Sequence, residues 1–158
     1  MSRRIALLLA TCFGIGDLPK APGTWASLAA LPFAWLILST AGPFGLLAAA
    51  AIVFCVGWWA SSEYVRWAGV EDPSAVVIDE VAGQWLALVL ADPHLWWTWA
   101  IGFAAFRLFD IVKPWPVSWA DRTLKGGLGV MLDDILAGLY GVVVLAAILL
   151  LERSDYFR

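Results

Sequence analysis

The feature that most constrains this chain is the separation of its charges from its apolar stretches. Long apolar runs alternate with short loops, and the loops hold nearly all the ionisable residues. One run spans Trp25 to Leu38. Ala41-Gly42-Pro43 breaks it, and a second covers Phe44 to Ala60. A third, Val81 to Phe106, is long enough for one crossing, and a fourth covers Val130 to Leu151. About 20 apolar residues in a helix match the hydrocarbon core of a bilayer. Of the 158 residues, 62% are hydrophobic and 15% charged, whereas a soluble domain carries about 25% charged. The expected fold is all-α: a multihelical integral membrane protein with several transmembrane or partly inserted helices, in one domain over residues 1–158. The 11 Trp suit a protein whose indoles sit at headgroup level.

Topology follows from the breakers. The short Ala41-Gly42-Pro43 loop makes a hairpin of the first two runs, so both begin and end at one face. The third run is interrupted at Asp92-Pro93, where proline removes a helical donor and pushes Asp92 out of the α region. We therefore expect two helices, about 76–91 and 94–112, turning at Asp92-Pro93-His94. Each is short for a full span unless its polar end sinks into the bilayer. That turn returns the chain to the first face, where Arg3, Arg4, Lys20, Arg66, Arg107, Lys113, Arg122 and Lys125 all fall. The positive-inside tendency makes this face cytoplasmic. The tail from Glu152 to Arg158 is polar. Arg3-Arg4 ahead of Ile5 to Phe13 imitates the start of a signal peptide, and the segment is expected to stay on the chain.

A net charge of −3 and a pI near 4.9 exclude a nucleic-acid partner, which demands a basic footprint. Cys12 and Cys55 form no CxxC pair and are expected to be buried free thiols.

Ionisable groups at membrane helices are costly, so they are functional candidates. Val77-Ile78-Asp79-Glu80 places two acids inside an apolar run, with Asp79, Gly83 and Ala87 on one helical face. Acids also suit a helix N-terminus without further purpose. Arg107 and Asp110 are i, i+3 neighbours that can simply pair, and Lys113 before Pro114 sits at a helix end. Asp121-Arg122 leads to Lys125-Gly126-Gly127-Leu128-Gly129, a glycine-rich turn able to turn N–H groups toward an anion. It opens a helix carrying Asp133 and Asp134, with Asp134, Gly138 and Gly141 on one face. Adjacent carboxylates repel unless a cation lies between them or one is protonated. In Gly16 to Ser27, Thr24 is a plausible N-cap, and Lys20, Thr24 and Ser27 could instead approach phosphate. Hard oxygen ligands without a paired His or Cys favour Mg²⁺ or Mn²⁺ over Zn²⁺. The residues themselves lead to a metal–phosphate site facing a bilayer.

These motifs resemble the phosphatidylglycerophosphatase A family. The match comprises Pro19-Lys20-Ala21-Pro22-Gly23-Thr24; Val77-Ile78-Asp79-Glu80 with Gly83; Phe106-Arg107-Leu108-Phe109-Asp110 with Lys113-Pro114 and Pro116; Asp121-Arg122; and Gly126 to Asp134 with Ala137-Gly138. Ala26 stands where a Gly is expected. The resemblance implies Mg²⁺-dependent hydrolysis of phosphatidylglycerophosphate to phosphatidylglycerol in the cytoplasmic membrane, as part of phospholipid synthesis.

The expected metal set is Asp79, Asp133 and Asp134, with Glu80 and Asp110 as further or outer ligands. Asp79, Asp133, Asp134 and Lys113 are the expected catalytic residues. Lys20, Thr24, Ser27, Arg107 and Arg122, with Lys113, are expected to hold substrate. Attack on phosphorus by water activated at the ion is expected, and an aspartyl-phosphate intermediate is the alternative. Membrane lipids surround the chain, and its small-residue faces permit a homo-oligomer without demanding one. Two rival readings fit the residues less well. A CDP-alcohol phosphotransferase needs further acids, and Gly138 to Leu151 has none. A small ion-binding transporter needs charges lining a path through the bilayer, and here they sit at one face.

Overall fold

The computed structural model describes residues 3–71 and 73–155, and every regular element in them is helical. Hydrocarbon offers no partner for backbone N–H and C=O groups, so apolar runs satisfy them within helices.

Helix α1 (Arg3–Ala10) buries Ala6 and Ala10, one turn apart, and exposes Ile5 and Leu8. A tight turn follows, containing a single 3-10 turn at Ile15–Asp17. Gly16 lies against the Ala75 carbonyl so closely that a Cβ has no room.

Helix α2 (Pro22–Ala68, 47 residues) is interrupted at Gly42, whose φ of 67° and ψ of −171° are not helical. As a straight rod it would run about 70 Å. Yet Pro22 and Gly23 at its start and Pro73 and Ser74 just beyond its end line one cavity. The break therefore folds the element into the expected hairpin. Glycine adopts that φ without strain, and Pro43 supplies no N–H to carry the helix across. The ends differ from expectation. The helix opens at Pro22 rather than Trp25, with proline pre-set for a first turn and Ala21 in the N-cap position. Thr24 is thus inside the helix and caps nothing. At the other end the helix runs to Ala68 instead of stopping at Ala60, and Glu63 and Arg66 pair along it one turn apart.

Helices α3 (Ile78–Ala87) and α4 (Trp96–Val112) are joined through the expected turn at Asp92-Pro93-His94, but α3 ends at Ala87 rather than at 91 and α4 opens at Trp96 rather than at 94. The Asp92 carboxylate accepts from His94 N–H at 2.8 Å. Trp99 Nε1 donates to the Asp92 carbonyl at 2.8 Å, and Trp35 Nε1 to the Pro93 carbonyl at 3.2 Å. Indoles thus cover the backbone groups that Asp92-Pro93 leaves open. With ten residues, α3 is about 15 Å long, too short to span.

Helix α5 (Val117–Thr123) precedes α6 (Gly126–Asp155). The glycine-rich turn is a correction. Only Gly126 takes a positive φ, 69°, and Gly127 and Gly129 already lie in the first turn of α6. Their missing side chains serve packing: a Cβ on Gly127 would strike Ser62, and one on Gly129 the Leu124 carbonyl. α6 also continues past Leu151 to Asp155, and the end of the polar tail, 156–158, lies outside the described residues.

Helix α3 packs between α2 and α6, and α4 lies along α6. The α3–α6 crossing is made by glycine. A Cβ on Gly83 would lie 2.6 Å from the Asp134 carbonyl oxygen, and one on Gly138 2.6 Å from that of Gly83. In a bilayer, burial of apolar surface does not drive helices together, so close backbone approach must.

Pro22–Ala68 and Gly126–Ser154 are long and apolar enough to cross a membrane. Only 17% and 28% of their most apolar windows are buried, so these are not core helices of a water-soluble domain. Phe33, Phe44, Ile52, Val143 and Leu150 project outward, as a lipid-facing surface requires. Cys55 is exposed among them and Cys12 is half-buried, which corrects the expectation of two buried thiols. Burial, with the nearby Glu80 charge, pushes the Cys12 thiol up to about 12. It stays protonated and donates to the Val77 carbonyl.

Candidate active site

The start of α2, the loop after it, the start of α3, the end of α4, α5 and the start of α6 meet at one end of the molecule. They enclose a cavity of about 310 Å³. Asp79 and Glu80 enter it from the first turn of α3. That turn is anchored from behind, because Val77 N–H donates to the Ala10 carbonyl at 2.8 Å. Asp133 and Asp134 enter from the early part of α6, both buried. Asp79, Glu80 and Asp134 each present a carboxylate oxygen within 4.8 Å of the other two. Gly23, in the first turn of α2, abuts the Glu80 carboxylate so closely that any larger residue would displace it.

Cations interleave with these acids. Arg107 Nη1 lies 2.6 Å from Asp110 Oδ2 and 4.0 Å from Glu80 Oε1. Lys113, left-handed at the end of α4 with φ of 47°, donates to Asp133 Oδ2 at 2.8 Å and to Asp121. Burial works against its ammonium, but the hydrogen bonds to Asp121 and Asp133 outweigh burial and raise its pKa above the ordinary value. Lys113 is therefore a permanent positive charge at the cavity wall.

Seven carboxylates against three cations line the cavity among the described residues, a formal excess of four acidic groups. Glu80 Oε2, Asp133 Oδ1 and Asp134 Oδ2 are buried without a hydrogen-bond partner. Buried charge is tolerated when it is paired or coordinates a metal. A cavity so negative would also repel a phosphate unless a cation entered with it. Oxygen-only donors at this spacing fit a hard divalent ion, and His94, the sole His, lies in the distant Asp92-Pro93 turn. The residues present thus fit a metal ion.

Of the residues singled out in the sequence, Asp79, Glu80, Arg107, Asp110, Lys113, Asp133 and Asp134 come together here. Lys20, Thr24, Ser27 and Arg122 do not line the cavity. Ser27 is buried and its hydroxyl donates to the Gly23 carbonyl one turn back, at 2.9 Å. Lys20 and Arg122 are exposed. Sequence reasoning missed the part of Asp121 as partner of Lys113. It also missed Glu71 and Lys125, an ion pair of 2.8 Å at the cavity rim. Gln84, fully buried one turn along α3 from Glu80 with neither amide atom partnered, was missed too. An amide inside an apolar run was the signal for it.

Residues 8–149 match the family described as phosphatidylglycerophosphatase A. Phosphatidylglycerophosphatase A of Escherichia coli (strain K12) is 40% identical over 139 residues, covering 87% of this chain and 80% of that protein. Phosphatidylglycerophosphatase A of Haemophilus influenzae is 41% identical over 142 residues, covering 89% and 86%. A Bacteroides thetaiotaomicron protein, provisionally named a phosphatidylinositol-3-phosphatase, is 41% identical over 149 residues, covering 90% and 92%. No solved structure matches the chain.

Proposed function

Because the chain belongs to the phosphatidylglycerophosphatase A family, we propose that the acidic cavity is its active site. There it hydrolyses phosphatidylglycerophosphate to phosphatidylglycerol and inorganic phosphate, a step of phospholipid synthesis. One observation carries the assignment to this cavity. Asp79 and Glu80 from α3 and Asp134 from α6, far apart in sequence, bring carboxylate oxygens within 4.8 Å of one another.

In this reading Asp79, Glu80 and Asp134 would hold Mg²⁺, with Asp133 and Asp110 beside them. When bound, the ion supplies positive charge to the phosphoryl oxygens and makes water more acidic. Arg107 and Lys113 face the same space and hold phosphate oxygens as charge shifts onto them in the transition state. Asp110, Asp121 and Asp133 aim those cations. Lys20 and Arg122, outside the cavity, are assigned to the membrane surface. The chain is read as one phosphatase domain crossing the cytoplasmic membrane more than once. Its cavity end faces the cytoplasm, where most of the basic residues gather.

Purified protein in detergent with Mg²⁺ is expected to release one phosphate per phosphatidylglycerophosphate consumed and to leave phosphatidylglycerol. It should turn over phosphatidylinositol 3-phosphate and phosphatidic acid more slowly. Turnover of the inositol lipid alone, or of none of the three, contradicts the reading.

A further inference from the structure

The substrate proposed above carries two anions. One is the terminal phosphomonoester that is removed, and the other is the phosphodiester that ties the glycerol to the diacylglycerol. Among the described residues, three cations line the cavity: Arg107, Lys113 and Lys125. The first two are held against the inner carboxylates, Arg107 by Asp110 and Lys113 by Asp121 and Asp133. Lys125 sits apart from them. It is more than half exposed at the rim and is paired there with Glu71, itself exposed, at 2.8 Å.

Lys125 stands at the residue before α6 begins, and Asp134 lies more than two turns into that helix. Both line the same cavity, and with its side chain 60% exposed and paired to Glu71, Lys125 stands at the mouth while Asp134 is buried within. Lys125 thus lies between Asp134 and the outside, on the path any tethered headgroup must follow. A phosphate seated among the inner residues leaves the rest of its headgroup extending toward the rim, where the second anion needs a cation. Glu71 is one partner of that cation, at an exposed site where an ion pair contributes little and exchanges readily for another anion.

Resting on the phosphatase reading, we infer that Lys125 is a specificity-determining residue. It binds the phosphodiester of the substrate and exchanges Glu71 for it. The inner cations recognise the phosphate that leaves. Lys125 recognises the one that stays, so the enzyme distinguishes a lipid bearing two phosphates from one bearing a single phosphate.

The two anion subsites separate by inhibition. Phosphatidylglycerol, the product, keeps the diester and lacks the monoester, whereas inorganic phosphate mimics only the monoester. In detergent micelles, Lys125→Met is expected to raise KM for phosphatidylglycerophosphate and Ki for short-chain phosphatidylglycerol together, by about five- to tenfold. Both kcat and Ki for inorganic phosphate should stay within about twofold of wild type, the error of such a comparison. Lys125→Arg should restore KM and the phosphatidylglycerol Ki. Three results overturn the inference: no inhibition of the wild type by phosphatidylglycerol, an unchanged Ki for it in Lys125→Met, or a joint fall in kcat and in inhibition by phosphate. A wild type inactive on phosphatidylglycerophosphate fails earlier and overturns the functional reading itself.

Discussion

Asp134→Asn is expected to cut kcat at least about 100- to 1,000-fold while leaving the protein folded and, without metal, more heat-stable than wild type. Asp134 is 3% exposed, its Oδ2 has no partner, and its carboxylate lies within 4.8 Å of those of Asp79 and Glu80. Without a cation these groups repel one another across a site shielded from water. Asn keeps the shape and removes the charge, so the repulsion falls along with the capacity to hold an ion. Mg²⁺ should then raise the melting temperature of the wild type and do little for the variant, since a ligand stabilises only the state it binds. Thermal unfolding in detergent with and without Mg²⁺, beside phosphate release, reads both halves. Full retained turnover would remove Asp134 from the site. Loss of fold would make it a structural residue.

Gly83→Ala should damage the fold and the candidate metal site together. A Cβ there would stand 2.5 Å from Phe106 Cε2 and 2.6 Å from the Asp134 backbone carbonyl oxygen. The ring can shift, but the backbone of α6 cannot move without carrying Asp133 and Asp134 with it. Alanine is the better helix former by about 1 kcal/mol, so at an uncrowded helical site this change would stabilise. Overpacking costs about 1–3 kcal/mol, and the helices must part where α3 and α6 present their acids to one another. The expected result is a lower melting temperature together with at least about tenfold weaker Mg²⁺ dependence. A variant more stable than wild type with unchanged Mg²⁺ dependence would show that the crossing does not set the site.

Much of this was legible in the sequence, and the parts that were not share a cause. Gly42-Pro43 and Asp92-Pro93 bend the chain through local covalent constraints, which any reader of the residues can apply. The acids stood out because each is expensive inside an apolar run. Helix starts were misplaced where glycine serves packing: Gly127 and Gly129 imitate a turn, and only the presence of Ser62 and the Leu124 carbonyl beside them explains their use. Ser27 and Thr24 have hydroxyl chemistry suited to phosphate, but starting α2 at Pro22 puts them within its opening turns, and Ser27 is spent on its own backbone. Cys55 was misjudged because positions facing lipid and positions facing protein are both apolar, so composition does not report burial. Lys113 was legible as a cation at a helix end, whereas its partners Asp121 and Asp133 come from two other helices.

The central claim is that acids from α3 and α6 share one divalent ion that the hydrolysis requires. Its most direct test is phosphate release from phosphatidylglycerophosphate by the purified protein as free Mg²⁺ is varied with a chelator, in wild type and in Asp79→Asn. No turnover is expected in excess chelator, with saturable recovery as Mg²⁺ is returned to the wild type and none in Asp79→Asn at the same concentrations. Undiminished turnover in chelator, or normal Mg²⁺ activation of Asp79→Asn, would contradict that claim.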